Sequence, residues 1–417
     1  MKVLVFTSLY PNNIWPLHGV FVKERMTHVA RREGCEVRVI APIPYFPPLK
    51  VSWRWRYSQV YREHEIEGVR VYHPRYFMIP KVSMALQGLL MFLCVFGFAR
   101  RLRREFEFDL IDTHYVYPDG FAAALLGWAL NKPVVASARG SDINLYSQFA
   151  TIRRLLQFVL RRAARVIAVS TALKQAMVNL GVDADKILVV PNAVDKIKFF
   201  PVPKHEARRK LGLPEGKVVL SVGHLVPVKG FEVLIEAFTM LVARLPNEKL
   251  HLVLVGDGIL REKLERMVSQ AGLRDRVRLC GDVAHEQLAA WYSAADVFCL
   301  ASRREGWPNV LLESLACGTP VVATRVGGVP EIITSSEVGL LSGASHSEVA
   351  ETLAAALARS WNPEHILRHA EGYTWFTVAK TLCDVFQSVI IEATASRSPG
   401  APPGKRQPAP KGGYGLS

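Results

Sequence analysis

Two carboxylates stand close together in the stretch REGWPNVLLESLACGTPVVATRVGGVPEI, Arg304 to Ile332, where seven residues separate Glu305 from Glu313. The preceding VFCLAS reads as a strand ending near Ser302, which puts Glu305 and Gly306 in the loop beyond its carboxyl end. Pro308 suits the first helical turn, Glu313 falls in the second turn, and Gly318 ends the helix. In open α/β sheets ligands sit outside the carboxyl ends of the strands, and helix N-termini there attract phosphate. A helical carboxylate at that place can accept two hydroxyl hydrogen bonds. The combination suits a ligand with hydroxyls at both ends and phosphates between, which is the layout of a nucleotide sugar. Solvated surface glutamates or helix-end charges would produce the same pair, so the neighbouring segments have to decide.

SVGHLVPVKGF (221–231) follows a strand and closes on Lys229-Gly230 just before a helix. A lysine there can neutralise a diphosphate, and a glycine permits a tight turn. The segment is not a Walker loop, because the glycine spacing and the following Ser or Thr are absent. GDGIL (256–260) after LHLVLV offers exposed N–H groups and reads equally well as a plain strand-to-helix turn.

The elements that would hold these loops form two rounds. KVLVFTS, CEVRVIAP, GVRVYHP, DLIDTHY, PVVASA, RVIAVS and ILVVPN are short β-branched runs alternating with helical patterns. Runs of this kind, without polar alternation, suit parallel strands buried on both faces. After a polar, proline-containing stretch the theme restarts with VVLSVG, LHLVLVGDG, VRLCGD, ADVFCLAS and PVVATR, so a second α/β unit is expected, with its boundary near residues 192–215. A last helix is expected over about 374–393, and the Pro-, Gly- and Lys/Arg-rich segment 396–417 reads as a disordered tail. The length of 417 residues fits two full-sized cores.

The six cysteines, Cys35, Cys94, Cys280, Cys299, Cys317 and Cys383, lack metal-type spacing and read as reduced core thiols. The opening apolar run is too short for a secretory signal, and a cytoplasmic protein is expected. A dinucleotide oxidoreductase is disfavoured because no G-x-G-x-x-G follows the first strand.

Together PNNIWPLHGVFV, ARGSDIN, SVGHLVPVKGF, LVGDG and the run from Glu305 to Glu331 resemble family 4 of the retaining nucleotide-sugar glycosyltransferases. The resemblance implies the GT-B architecture: α/β, two Rossmann-like domains facing a central cleft, with the C-terminal helix returning to the N-terminal domain. Residues 1–195 would be the acceptor-binding domain, joined by the 374–393 helix, and 196–373 the nucleotide-sugar-binding domain. By resemblance Glu313 binds ribose, Glu305 lies near the donor sugar and Lys229 contacts the diphosphate. Gly223 and His224 belong to the same donor loop. The backbone through Gly306, Trp307, Pro308, Asn309, Val310 and Leu311 would lie along diphosphate and sugar, and Gly19 would let a loop and helix start approach the phosphates. Binding would then span both domains, and closure would complete the site.

Two positions depart from the family pattern. His224 stands where many relatives have arginine, and Arg139 stands where many have histidine. Arg139 can stabilise a departing diphosphate but makes a poor general base, and an ion pair with Asp142 is its structural alternative. The implied reaction moves a glycosyl group, of hexosyl type, from a nucleoside diphosphate sugar to an acceptor hydroxyl with retention, the leaving phosphate assisting on the same face. A double displacement through a carboxylate stays open. No metal or other cofactor is expected. A donor-binding subunit without activity and a sugar-nucleotide epimerase of the same fold are the alternatives.

The formal charge of +15 calls for an anionic partner. Val82 to Ala99 is an apolar run followed by Arg100, Arg101, Arg103 and Arg104, and WRWRY (53–57) and RRLLQFVLRRAAR (153–165) add aromatic and basic groups. A helix partly buried in the N-terminal domain, its exposed part on an anionic membrane surface, is the sharper reading, and solvated helix faces are the plainer one. Docking there would give access to a sugar or lipid-linked acceptor in cell-envelope or exopolysaccharide assembly. No nucleic-acid module is present, so nucleic acid is not an expected partner.

Overall fold

The structure is a computed structural model that describes residues 1–50, 52–78 and 84–396. The expected tail lies outside the described residues apart from Ser396, as do Val82 and Ser83 at the start of the apolar run. The chain divides into two compact units: unit 1 is Met1–Pro191 with the described residues from Val378 onward, and unit 2 is Asn192–Thr377.

Unit 1 carries β1 (Lys2–Phe6), β2 (Glu36–Ile40), β3 (Ile43–Pro44), β4 (Glu63–Ile66), β5 (Val69–Tyr72), β6 (Arg75–Tyr76), β7 (Leu110–His114), β8 (Val134–Ser137), β9 (Arg165–Ala168) and β10 (Ile187–Val189). Its main sheet runs β10-β9-β8-β7-β1-β2-β5-β4. All its pairings are parallel except that of β4 with β5. Val5 of β1 sits opposite Val39 of β2 on one side and Asp112 of β7 on the other. β1 is therefore where the strand order reverses, the place at which such sheets open a crevice.

Unit 2 carries β11 (Lys217–Val222), β12 (Leu250–Val255), β13 (Val277–Gly281), β14 (Val297–Leu300), β15 (Val321–Thr324) and β16 (Gly339–Ser342). The order β13-β12-β11-β14-β15-β16, parallel throughout, reverses between β11 and β14.

Every strand expected from a β-branched run is present. β3, β4, β6 and β16 were not anticipated. EHEI of β4 alternates exposed and half-buried residues and pairs antiparallel with β5, so it lacks the apolar run of a strand covered on both faces.

The sheets are covered by apolar stripes of helices. In unit 1 the helix Gln87–Glu105 buries Gly88, Met91, Val95, Ala99 and Leu102, and four of them, Met91 to Leu102, pack with Leu4, Phe6, Phe106 and Phe108. That spacing of three and four puts all five on one face. In unit 2 the helix Phe231–Arg244 sets Phe231, Leu234, Phe238 and Leu241 against Leu252, Leu254 and Val297. All six cysteines are free thiols; Cys299, Cys317 and Cys383 are buried.

The reversal point of unit 1 is tied by a wholly buried carboxylate. Asp119, at the start of the helix Asp119–Leu130, accepts hydrogen bonds from Ser8 N, Ser8 Oγ (2.9 Å) and Thr7 Oγ1, joining the end of β1 to the chain after β7. Burial raises its pKa to about 7 against these hydrogen bonds. Nearby on β7, burial lowers that of His114 to about 4.

The two shifts act in opposite directions on stability. Asp119 holds its proton more tightly folded than unfolded, so its contribution is full below pH 3.8 and is lost as pH rises to about 7. His114 contributes fully above pH 6.5 and loses this as pH falls to about 4. Asp119→Asn should therefore remove a loss on rising pH: the wild type should lose on the order of a few kcal/mol relative to the variant between about pH 4 and 7. Denaturant unfolding of both proteins across that range measures the difference, and parallel curves would contradict the shift.

Candidate functional site

The loops after β11 and β14 lie side by side at the reversal point of unit 2, and their backbones fit with no room between them. Gly230 has φ +68°, and a Cβ there would stand 1.9 Å from the Ala301 carbonyl oxygen. Gly327, after β15, has φ +50°, and its Cβ would stand 1.8 Å from the Glu305 carbonyl oxygen. Arg303 N donates to Val228 O at 2.8 Å, and the Thr324 hydroxyl donates to Ser302 O. Three loops thus lock around one residue, Glu305.

The Glu305 side chain is only 9% exposed, and its Oε1 accepts from Lys229 Nζ and Ser302 Oγ, both at 2.7 Å. A carboxylate this enclosed is costly unless paired, and the lysine with the hydroxyl meets that cost. The Lys229 side chain remains 26% exposed.

Beyond Glu305, Trp307 and Leu311 are buried, the former with its ring 5.9 Å from that of Tyr373, while Gly306, Asn309 and Val310 are half-buried. Of this segment, then, Gly306, Asn309 and Val310 are the residues that reach the surface. The helix spans Asn309–Ala316, with Pro308 as the extended residue before it, one position earlier than the first-turn role expected of that proline. The N-terminus has no side-chain cap and no acidic residue in its first turn; Leu311 N already donates to Pro308 O at 3.1 Å, so an anion there would meet the N–H groups of Asn309 and Val310. Gly318, φ +77°, follows the helix as expected.

Glu313 is held separately. Its Oε2 accepts from the Tyr292 hydroxyl at 2.7 Å, and Oε1 lies 3.8 Å from His285 Nε2. Burial and the adjacent carboxylate push the Tyr292 pKa well up, so the hydroxyl stays a donor. Asn309 Oδ1 accepts from the Asn192 amide at 3.1 Å. Gly223 is covered by the GDG turn: a Cβ on Gly256 would stand 2.0 Å from the Gly223 carbonyl oxygen, and Leu225 N donates to Asp257 O at 2.9 Å. His224 is exposed.

Gly19 and Arg139 belong to unit 1. Gly19 has φ +68° at the start of the helix Val20–Ala30, and a Cβ would lie 2.4 Å from the carbonyl of Leu9. Arg139 is half-buried; its guanidinium contacts His114 Nδ1 and lies 5.3 Å from the centre of the Phe21 ring. His114 Nε2 is 3.1 Å from Asp112. Asp142 accepts the backbone N–H groups of Val116, Arg139 and Gly140. Burial lowers the Arg139 pKa to about 10, which leaves it charged at neutral pH.

Residue type and loop position found Glu305, Lys229 and Glu313, and the family resemblance found Arg139, but neither found their partners Ser302, Tyr292, His285 and His114. Tyr292 and His285 come from another segment, and no local pattern marks them. Ser302 was read only as a strand end. Among the described residues no group of three or more His, Cys, Asp or Glu side chains is arranged to hold a metal ion.

Gly230, set against Gly272, which lies outside the site after the helix Arg261–Gln270, separates strain from packing. Gly230 and Gly272 share φ +68°, but a Cβ on Gly272 meets nothing within 4 Å. Gly272→Ala should cost about 1 kcal/mol from backbone strain alone, and Gly230→Ala at least about 2 kcal/mol more. Equal losses in thermal unfolding would show that the loops part easily.

Residues 20–197 match the family described as Glycosyltransferase Family 4, and residues 203–371 match Glycosyl transferases group 1. A candidate teichuronic acid biosynthesis glycosyltransferase, TuaC, of Bacillus subtilis is 30% identical over 375 residues, covering 87% of this chain and 91% of that protein. Sucrose-phosphate synthase from Thermosynechococcus elongatus shares the fold with a TM-score of 0.74 at 21% identity, covering 94% of this chain and 99% of the other. HepE of Anabaena, solved in complex with UDP-glucose, gives 0.69 at 21% identity, covering 93% of this chain and 100% of the other. The chain belongs to the family 4 glycosyltransferases, enzymes of glycan biosynthesis built on the GT-B fold.

Proposed function

We propose that this glycosyltransferase takes a hexosyl group from a nucleoside diphosphate sugar and passes it, with retained configuration, to an acceptor hydroxyl. The observation that carries the reading is the reversal point of unit 2, where the Lys229–Glu305 pair precedes an uncapped helix N-terminus bearing Glu313. Each part meets one part of such a donor. Glu313 accepts the two ribose hydroxyls, Lys229 and the first-turn amides of the 309–316 helix meet the diphosphate, and Glu305 faces the sugar end. That HepE was solved with UDP-glucose makes a UDP-linked sugar the first donor to test.

In this reading the leaving phosphate accepts the proton of the incoming hydroxyl on the same face, so no protein nucleophile is required. Glu305, already bonded to Lys229 and Ser302, orients the donor sugar rather than attacking it. Arg139 is charged at neutral pH and acts as a donor to anionic oxygen, not as a base. Diphosphate charge is met by lysine and backbone amides, so the reading needs no metal ion. The setting it suits is the cytoplasm at the inner face of the membrane, in envelope or exopolysaccharide assembly, in keeping with the biosynthesis for which TuaC is named.

Calorimetric titration with UDP-glucose and with other UDP- and GDP-linked sugars tests the donor. Glu313→Ala and Lys229→Ala should each weaken binding about tenfold to a hundredfold, the loss expected when one partner of a charged hydrogen bond is removed. Glu313→Gln, which keeps an acceptor for Tyr292, should lose less. Unchanged affinity in both alanine variants would overturn the assignment. Proton NMR of the first-formed product then reads the anomeric configuration, and inversion would refute retention.

A further inference from the structure

Unit 1 contains a cavity of ≈ 720 Å³ whose described lining includes Arg62, Arg75 and Arg101, with Phe46 and Phe98 among its apolar walls and no acidic residue. Arg75 is the built element. One of its guanidinium nitrogens donates to Val60 O, while Nη1 is buried without a hydrogen-bond partner among the described residues. Arg62 and Arg101 are exposed and form no ion pair among the described residues. Three guanidinium groups lining one space with no carboxylate among them repel one another until an anion enters. A phosphate group meets that need, because its oxygens match the planar fork of arginine.

The helix Gln87–Glu105 supplies the second half of the site. Opposite its buried stripe, Leu86, Leu89 and Leu93 are exposed, and the same face continues through Gly97 and Arg101, which line the cavity, to Arg100 and Arg104. Three exposed leucines thus run into a basic pocket along one helix face. By length and composition the segment Met84–Glu105 could cross a membrane, yet its other face belongs to the core of unit 1. A helix so anchored can lie along an apolar phase but cannot span it without opening the sheet it covers.

We propose that this cavity binds the phosphate group of a phosphorylated amphiphile whose apolar chain lies along Leu86, Leu89 and Leu93. The assignment stands apart from the donor site, since vesicle binding is read without any nucleotide sugar present.

The test is co-flotation of the full chain with phosphatidylcholine vesicles, with and without phosphatidic acid. The wild type should float only with phosphatidic acid. Arg62→Ala/Arg101→Ala should reduce partitioning at least about tenfold. Gly97→Gln should do the same without changing charge, since a Cβ at Gly97 meets nothing within 4 Å and the side chain can enter the cavity unhindered. Arg209→Ala/Lys210→Ala removes the same charge from exposed positions on the helix Lys204–Leu211 of unit 2 and should leave binding unchanged. An equal loss in that control would reduce the effect to diffuse charge and overturn the site, as would wild-type protein that fails to float. Displacement of the wild type by millimolar inorganic phosphate would overturn the amphiphile and leave a soluble phosphate as the ligand.

Discussion

The site in unit 2 depends on backbone running against backbone. At Gly230 and Gly327 the neighbouring carbonyl stands where any other residue would have its Cβ, and both glycines hold a left-handed conformation. Together they bring the loops after β11, β14 and β15 into contact around Glu305. Only with the loops locked can the enclosed Glu305 carboxylate meet Lys229 and Ser302, and only then does the chain leave the loop at an angle that starts a helix at Asn309. A preformed arrangement of this kind charges its desolvation cost to folding rather than to ligand binding.

Unit 1 solves the same topological problem with side chains. Where its strand order reverses, Asp119 fastens the end of β1 to the helix after β7, and beside it the buried Asp112 and His114 meet the half-buried Arg139. Burial drives Asp119 toward its protonated form and His114 toward its neutral form, while Arg139 keeps its charge. The result is one lasting cation, just past the end of β8, with partners fixed on β7.

Parallel strands covered on both faces must be apolar on both, which is why the runs from KVLVF to PVVAT could be read directly and came out as strands. β4 escaped notice because it is an edge strand with half-exposed polar residues, and β16 because GLLS is too short to stand out. The glutamates and Lys229 were legible from residue type and loop position. Their pairing was not, because Lys229 and Glu305 are 76 residues apart and only the strand order β11-β14 makes their loops neighbours. Likewise nothing local links Arg139 to His114, 25 residues earlier, until β7 and β8 pair. The apolar run before Arg100 gave a helix, but its amphipathic division, core on one side and bare leucines leading to a basic cavity on the other, needed the burial of each residue.

The central claim is that a nucleoside diphosphate sugar seats on the interlocked loops of unit 2. Amide hydrogen exchange of the full chain, with and without saturating UDP-glucose or whichever nucleotide sugar binds, tests it most directly. The account predicts new protection concentrated in residues 223–230 and 305–311, with the buried strands unchanged. Binding that leaves both segments exchanging as before, with protection gathered elsewhere, would contradict it.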